Sequence, residues 1–197
     1  MANDSSTGGY LLPTTSSPQG EDDALDAVFQ QLVVGITGLP GAYVRPRWQS
    51  IVPKQPEASV NWCAIGVSLS EPEGMPAIVH QSGGSSPDGQ DVLYRNERIS
   101  VLASFYGPGG GGFSSVFRDG LFVAQNNGAL TPYGIGFYDI GPRRSVPELV
   151  NQQWIKRYDV ELILRRQVVR TYAVLNLLSL DGSVSTDSIT NELNAEG

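Results

Sequence analysis

The feature of this sequence that most suggests chemistry is a glycine run, Gly107-Pro108-Gly109-Gly110-Gly111-Gly112. It fits the G-x-G-x-x-G pattern between an apparent strand and an apparent helix, where backbone N–H groups could hold a phosphate. Asp139, at the end of the next predicted strand, could then bind a ribose. However, four consecutive glycines satisfy many glycine patterns, Pro108 has no N–H donor, and no second βαβ unit follows. We therefore predict a flexible strand–helix connection at 107–112, with a nucleotide-binding enzyme as the less favoured alternative.

Other residues able to do catalytic chemistry are few. The single histidine, His80, lies beside a Gly/Ser-rich stretch, but the sequence has no G-x-S-x-G motif that would supply a serine nucleophile. The single cysteine, Cys63, alternates with Ile65 and Val67 and is predicted to be a small core residue. One cysteine also excludes an internal disulfide and a multi-cysteine zinc site. We therefore expect a protein that is not an enzyme, with no catalytic residue, cofactor or metal.

Basic residues are unevenly distributed and are nearly all arginine. Eleven of the 13 bases are Arg, and seven of the 13 lie between residues 143 and 170. DNA binding is one interpretation, since contacts to DNA phosphates need clustered Lys and Arg side chains. However, Asp159 and Glu161 lie among these basic residues, and the net charge of the chain is −7. Arginine is well suited to bidentate contacts between proteins. We therefore predict an assembly interface formed by Arg143, Arg144, Arg157, Arg165 and Arg166.

The excess acid lies at the two ends of the chain. Residues 1–26 contain five acids and no base, residues 181–197 contain four acids and no base, and the middle is nearly neutral. Residues 1–20 are also rich in Ser, Thr, Gly and Pro, so they cannot bury enough apolar surface to offset backbone entropy. We predict a flexible arm at 1–20, one domain at 21–180 and an acidic flexible tail at 181–197. The sequence has no run of about 18 apolar residues, so it predicts no membrane-spanning helix.

The elements that must position these residues follow from hydrophobic periodicity. The predicted helices are 22–37, capped by Asp22 or Asp23, and 114–126, capped by Ser114. A capping-box pattern at 145–148 predicts a short helical turn. The predicted strands are 42–48, 62–69, 77–82, 91–96, 97–106, 133–140, 154–166 and 168–180. This order predicts an α+β fold, with an antiparallel or mixed sheet and two helices packed on one face.

One segment carries a resemblance to a known family. Gly141-Pro142-Arg143-Arg144-Ser145-Val146-Pro147-Glu148-Leu149 is followed by Trp154 and Arg157, a W-x-x-R pattern that leads into a long strand of alternating apolar residues. This pattern resembles the neck (tail) terminator family of tailed bacteriophages, as does the opening helix followed by Gly38-Leu39-Pro40. The resemblance covers about residues 22–180. The stretch from Arg143 to Leu149 departs from the usual middle of the segment.

The resemblance implies a function in assembly rather than catalysis. It implies a tail-terminator-like single domain that forms a ring, expected to be a homohexamer, in the virion neck. The expected partners are further copies of the chain, the tail tube protein, the sheath protein and a head-side connector protein. Genomic DNA would pass through the lumen without sequence-specific binding, and the protein would be made in the bacterial host cytoplasm. Another tail or head-completion component, such as a tube or stopper protein, is the structural alternative.

Overall fold

The computed structural model describes residues 3, 5–17, 20–49, 51, 53–150, 152–186 and 189–196. The helices are α1 (Asp22–Thr37), α2 (Gly110–Gly120) and α3 (Ala124–Asn127). The strands are β1 (Thr15–Ser17), β2 (Val44–Pro46), β3 (Trp62–Pro72), β4 (Ala77–Gln81), β5 (Asp88–Tyr106), β6 (Ile135–Ile140), β7 (Arg144–Ser145), β8 (Glu148–Val150), β9 (Gln153–Ile155), β10 (Arg157–Leu175), β11 (Ser179–Thr186) and β12 (Ile189–Glu196). The predicted α+β class is confirmed. Among the described residues, no helix has the length and apolar character needed to cross a membrane.

The chain divides into two compact units. The larger unit contains Pro18–Gly74 and Asn96–Gln167, and the smaller unit contains Met1–Ser17, Met75–Arg95 and Val168–Gly197. The division falls within β5 and within β10, each of which is 19 residues long. The domain boundaries predicted at residues 20 and 180 stay predictions.

In the larger unit, helices cover one face of a mixed sheet. The strand order is β10-β5-β3-β2, in which β2 at the edge is parallel to β3, and β3 is antiparallel to β5. Period-two alternation buries one face of β5 and of β10, and α1 and α2 pack on it. The largest fully buried side chains of this core are Phe29, Phe105, Phe117, Ile65, Ile99, Leu121, Leu130, Leu162 and Leu164. The alternation predicted for the strands at 97–106 and 154–166 is therefore confirmed.

The helical segments differ from the predictions at their ends. Glu21, rather than Asp22 or Asp23, is the N-cap of α1, and no side chain bonds to the free N–H groups there. Ser114 lies inside α2, where its hydroxyl donates to the Gly111 carbonyl. The segment predicted as one helix at 114–126 is two helices, which makes three in the part of the chain described.

The separation of α2 from α3 has a local cause. The side-chain amides of Asn126 and Asn127 donate to the carbonyls of Gly120 and Leu121, at 2.9 and 3.0 Å. These carbonyls lie at the C-terminus of α2, where a helix has unsatisfied acceptors. The two asparagines therefore satisfy acceptors that a further turn of α2 would have used.

The helical turn predicted at 145–148 is wrong. Arg144 and Ser145 form β7, paired with Asp159 and Tyr158 of β10, and Glu148 begins β8. The Glu148 carboxylate accepts a hydrogen bond from Arg157 instead of capping a helix. Pairing with β10 therefore overrides the local capping-box signal.

The smaller unit is built from short antiparallel pairings. β4 pairs with residues 90–94 of β5, so the strands predicted at 77–82 and 91–96 form a hairpin, and β1 pairs with residues 169–171 of β10. β11 and β12 pair as a C-terminal hairpin, where the sequence analysis predicted no strand beyond residue 180. Whether this segment and the N-terminal arm are mobile stays a prediction. Parts of these two predicted segments lie outside the described residues: Met1, Ala2, Asp4, Pro18, Gln19, Asp187, Ser188 and Gly197.

Candidate assembly interface

The glycine run is explained by close packing in the larger unit. Gly107 has a φ of +98°, and a Cβ atom there would lie 2.4 Å from the Val60 carbonyl oxygen. A Cβ atom on Gly110 would lie 3.0 Å from the Phe105 carbonyl oxygen, and one on Gly111 would lie 3.2 Å from Cζ of Tyr158. Only glycine accommodates these approaches without displacing a neighbour.

The N–H groups of the same run are largely used within the chain. Gly107 donates to the Lys156 carbonyl at 3.2 Å, and Gly109 donates to Oδ1 of Asn61 at 2.7 Å. Helix α2 begins at Gly110, so the predicted flexible connection at 107–112 is shorter than expected. The run thus serves as a tight strand–helix junction, and its glycines need no phosphate ligand to account for them.

Two of the five arginines predicted to form an interface are held inside the larger unit. Arg166 is 4% exposed and binds Glu97, as well as Glu21 at 2.7 Å. Arg157 binds Glu148, as well as Asp159 at 2.7 Å. Burial alone would lower the pKa of each guanidinium, but the hydrogen bonds to carboxylates outweigh it and raise the pKa. Both side chains are therefore committed to partners in their own chain.

The other three predicted arginines are more accessible. Arg143 donates to the Gly111 carbonyl at 3.0 Å and to the Ser115 hydroxyl, and it lies over the Tyr158 ring. Arg144 is exposed on β7. Arg165 is 48% exposed and binds Glu73 at 2.9 Å. Three of the five arginines thus lie on β10, Arg144 lies on its neighbour β7, and Arg143 directly precedes β7. Their interface role stays a prediction.

A groove in the larger unit was not anticipated from the sequence. Its volume is about 740 Å³, and it is lined by Arg45, Pro46, Arg47, Trp48, Gln49, Pro53, Gln55, Trp62, Ala64, Tyr106 and Glu148. The rings of Trp62 and Tyr106 stack at 4.1 Å with an angle of 6° between their planes. The guanidinium of Arg45 lies 6.0 Å from the Trp62 ring, and that of Arg47 lies 5.9 Å from the Trp48 ring. We call this the aromatic groove.

The neighbouring β8–β9 hairpin exposes an apolar pair. Its register pairs Leu149 with Trp154 and places them on the opposite face from Val150 and Ile155. Ile155 and Val150 pack with Trp62, Tyr106 and Ala64 in a second small core. Leu149 and Trp154 are left 60% and 69% exposed. The hairpin therefore uses one apolar face for the fold and presents the other outwards.

All three tryptophans of the chain contribute to this region. Trp48 and Trp62 line the aromatic groove, and Trp154 lies on the hairpin whose Glu148 also lines it. Trp48 is 69% exposed, like Trp154. Tryptophan and arginine are enriched among the residues that dominate binding energy at protein interfaces. The tryptophan positions were thus a signal in the sequence, although only the folded chain places Trp48 and Trp62 in one groove beside the hairpin that carries Trp154.

In the smaller unit, His80 is the centre of a hydrogen-bonded cluster. Its Nδ1 lies 2.8 Å from Oδ1 of Asp91, and its Nε2 lies 2.9 Å from Oδ1 of Asn176. The Asn176 amide donates to the carbonyls of Ser86 and Asp88, which orients its oxygen toward the ring. Because both ring nitrogens face oxygen acceptors, the cluster ties the end of β10 to the turn of the β4–β5 hairpin.

Cys63 lies in the core, as the sequence analysis predicted. Its side chain is fully buried on β3, paired with Phe105 of β5. Burial raises the pKa of the thiol above its usual range, so the thiol stays protonated at neutral pH. A buried, protonated thiol packs as a small apolar side chain and is a poor nucleophile.

Comparison of the chain with known proteins bears on the family. A family model described as phage neck terminator protein matches residues 23–192, which include α1 from its second residue, the aromatic groove and the β8–β9 hairpin. Comparison with curated proteins gave no match. The resemblance drawn from residues 141–157 is confirmed by this match, which extends over most of the chain. The chain therefore belongs to the phage neck terminator protein family, whose members are structural proteins of the virion tail and neck.

Proposed function

We propose that this protein is a tail terminator that forms a ring, expected to be a homohexamer, on the last ring of the tail tube. One face of the ring binds the tail tube protein, with the sheath protein as a further partner, and the other face binds the head-side connector. The protein acts by binding and is not an enzyme. The observation that carries the proposal is the family match over residues 23–192.

The exposed apolar residues of the larger unit support self-assembly. Leu149 and Trp154 stand out from a hairpin whose other face is already packed, so the fold itself does not require their apolar surface. A tryptophan buries about 150–250 Å² when it enters an interface. We assign this pair to contacts with a second copy or with the tube protein. Arg143 and Arg144, exposed near α2 and β7, are proposed as polar contacts at the same assembly.

The charge of the chain suits passage of DNA rather than retention. The net charge is −7, so six copies carry a formal charge of about −42, which disfavours a strongly basic lumen facing the DNA phosphates. Strong attraction to the lumen would hold DNA that has to move through it. We therefore expect the lumen to bind DNA weakly and without sequence specificity.

The proposal is tested by sedimentation of the purified chain and by negative-stain images of the chain alone and with tail tubes. We expect rings, and tubes that stop at a capped end. Leu149→Ser combined with Trp154→Ser should reduce ring formation or capping while circular dichroism stays unchanged. Val116→Ser, which changes a half-exposed apolar residue on α2, is the matched control. Wild-type yields of rings and capped tubes from the double variant would overturn the assignment of this surface.

The same measurements separate the alternatives. Open-ended filaments of stacked rings would favour a tube protein. A ring that binds the head-side connector but not tubes would favour a stopper protein. A monomer that binds ATP or NAD saturably in calorimetry, and loses that binding when Gly109 and Gly111 are changed to Ala, would favour the nucleotide-binding enzyme.

A further inference from the structure

We propose that the aromatic groove binds the acidic C-terminal hairpin, β11–β12, of a second copy of this chain. The inference rests on the proposed function in so far as both need self-association. It goes further by naming the two surfaces that meet.

The groove holds an arginine, Arg45, that has no carboxylate partner among the described residues. Arg45 donates to the carbonyls of Lys54, at 2.9 Å, and Ala42, and Arg47 donates to the Ser104 hydroxyl. Within the described part of the chain, neither guanidinium has a carboxylate within 4.0 Å, and Nε of Arg47 is buried without a hydrogen-bond partner. Glu148 lines the groove but binds Arg157. The Ser104 hydroxyl in turn donates to Asp159 at 2.6 Å, so Arg47 is already linked to a carboxylate. Arg45 is therefore the cation that an occupant with carboxylates would meet.

The groove also offers an apolar surface. The stacked rings of Trp62 and Tyr106, together with Ala64, lie beside Trp48, which is largely exposed. Burial raises the pKa of the Tyr106 hydroxyl, so this ring is uncharged at neutral pH. An occupant with both apolar residues and carboxylates thus matches the groove better than a purely acidic segment does.

The C-terminal hairpin has this mixed composition. Residues 179–196 contain four acids, Asp181, Asp187, Glu192 and Glu196, and no basic residue. The same stretch contains the apolar residues Leu180, Val184, Ile189 and Leu193. Its two strands pair in antiparallel register from Ser179 with Glu196 to Thr186 with Ile189, so one hairpin carries both kinds of residue. Such a segment matches a groove that offers a cation and aromatic rings.

The acidic N-terminal segment is a poorer occupant. Its Glu21 already binds the buried Arg166, and Asp22, Asp23 and Asp26 lie on α1. These carboxylates are held in the fold of the larger unit. The acids after residue 180 lie instead on a terminal hairpin, and the neighbouring subunit of a ring would present that hairpin at a high effective concentration.

Disulfide trapping between differently tagged full-length copies tests the proposal. One copy carries Gln55→Cys at the groove, and the other carries Asn191→Cys on the hairpin. We expect a cross-linked species that contains both tags under mild oxidation. Cys63 is fully buried, so background cross-linking should be low. The same pair of changes placed in one chain shows whether the contact forms within a copy, and cross-links confined to single chains would overturn the proposal.

Charge reversal supplies the specificity control. Arg45→Glu should reduce the cross-linking rate roughly tenfold, as expected when one partner of an interfacial charge pair is reversed. Asp181→Lys with Glu192→Lys in the hairpin copy should reduce it similarly and should restore it when paired with Arg45→Glu. Glu71→Lys, on β3, is the matched acid-to-base control and should change nothing. Equal cross-linking in all these variants would overturn the proposal, and circular dichroism checks the fold of each.

The outcomes also separate this inference from the proposed function. Rings and capped tubes formed at normal yield, without the groove–hairpin cross-link, would overturn the inference and leave the terminator function standing. A cross-link that forms between copies that never build rings or cap tubes would support the inference and overturn the terminator function.

Discussion

Arg165 and Arg166 are neighbours on β10, yet replacing each by methionine should have very different effects on stability. Arg166 is 4% exposed and binds Glu97, which is also buried, and Glu21. Arg165 is 48% exposed, binds Glu73 and lies over the Tyr138 ring. Methionine keeps most of the side-chain length in both variants, so the comparison isolates the loss of the guanidinium.

The expected magnitudes follow from burial. Removing one partner of a buried ion pair costs about 3–5 kcal/mol, because the buried charge that remains is less well compensated. A surface ion pair contributes about 0–1 kcal/mol, and an exposed cation–π contact contributes about 0.5–1 kcal/mol. Arg166→Met should therefore lose a large part of a folding free energy of ~5–15 kcal/mol, whereas Arg165→Met should lose about 1 kcal/mol.

Urea unfolding followed by far-ultraviolet circular dichroism measures both variants under one set of conditions. With a slope of about 2 kcal/mol per molar urea, Arg166→Met should lower the midpoint by roughly 2 M, and Arg165→Met by about 0.5 M. Adding Glu97→Leu to Arg166→Met should recover part of the loss, since an apolar pair can replace a buried ion pair. Equal midpoint shifts in the two single variants, or no recovery in the double variant, would refute the assignment of Arg166 as a buried ionic anchor.

Three further predictions concern the glycine junction, the core and the histidine cluster. Gly111→Ala should lower the melting temperature, because the added Cβ would press on the Tyr158 ring at a cost of about 1–3 kcal/mol. Gly112→Ala has free space around the added Cβ and should stabilise the fold by about 0.5–1 kcal/mol. A higher melting temperature for Gly111→Ala than for Gly112→Ala would show that the junction is not closely packed. Leu162→Asp should yield no folded protein, because an unpaired carboxylate in the core costs several kcal/mol, and a soluble variant with unchanged melting would contradict the strand register. A hydrogen bond to Asp91, and after it one to Asn176, raise the pKa of His80 above its ordinary value of about 6.5. The stabilisation that these hydrogen bonds give to the folded state is therefore complete below that pH and is lost as the pH rises through the folded-state pKa. NMR titration of the single histidine should show a raised pKa that falls in Asp91→Asn, and equal values in both proteins would exclude this cause.

Part of this structure could be predicted because it depends on local patterns. The helical spacing of Leu25, Val28 and Phe29 indicates a buried helix face, and these residues are buried in α1. Val160 and Leu162 alternate with polar residues, which indicates a strand with one buried face. The same alternation places residue 166 on the buried face of β10, so the burial of Arg166 was predictable although its partners were not.

Other features depend on contacts between distant segments. The capping-box pattern at 145–148 became extended structure because β7 pairs with β10. The glycines of the run at 107–112 are required by Val60, Phe105 and Tyr158, of which only Phe105 is near in sequence. Local patterns cannot indicate such requirements, since they arise when separate elements approach closely.

The sequence by itself determined the α+β class, the buried faces of α1, β5 and β10 and the family, because periodicity and motif spacing are properties of contiguous residues. Only the tertiary structure decided which carboxylate each arginine meets, and it alone assembled the aromatic groove from Arg45, Trp62, Tyr106 and Glu148. The physical reason is that a side chain's partners are set by strand pairing and packing across long sequence separations. A guanidinium becomes a core anchor when packing buries it together with its carboxylate, as at Arg166, and stays accessible when its ion pair lies at the surface, as at Arg165.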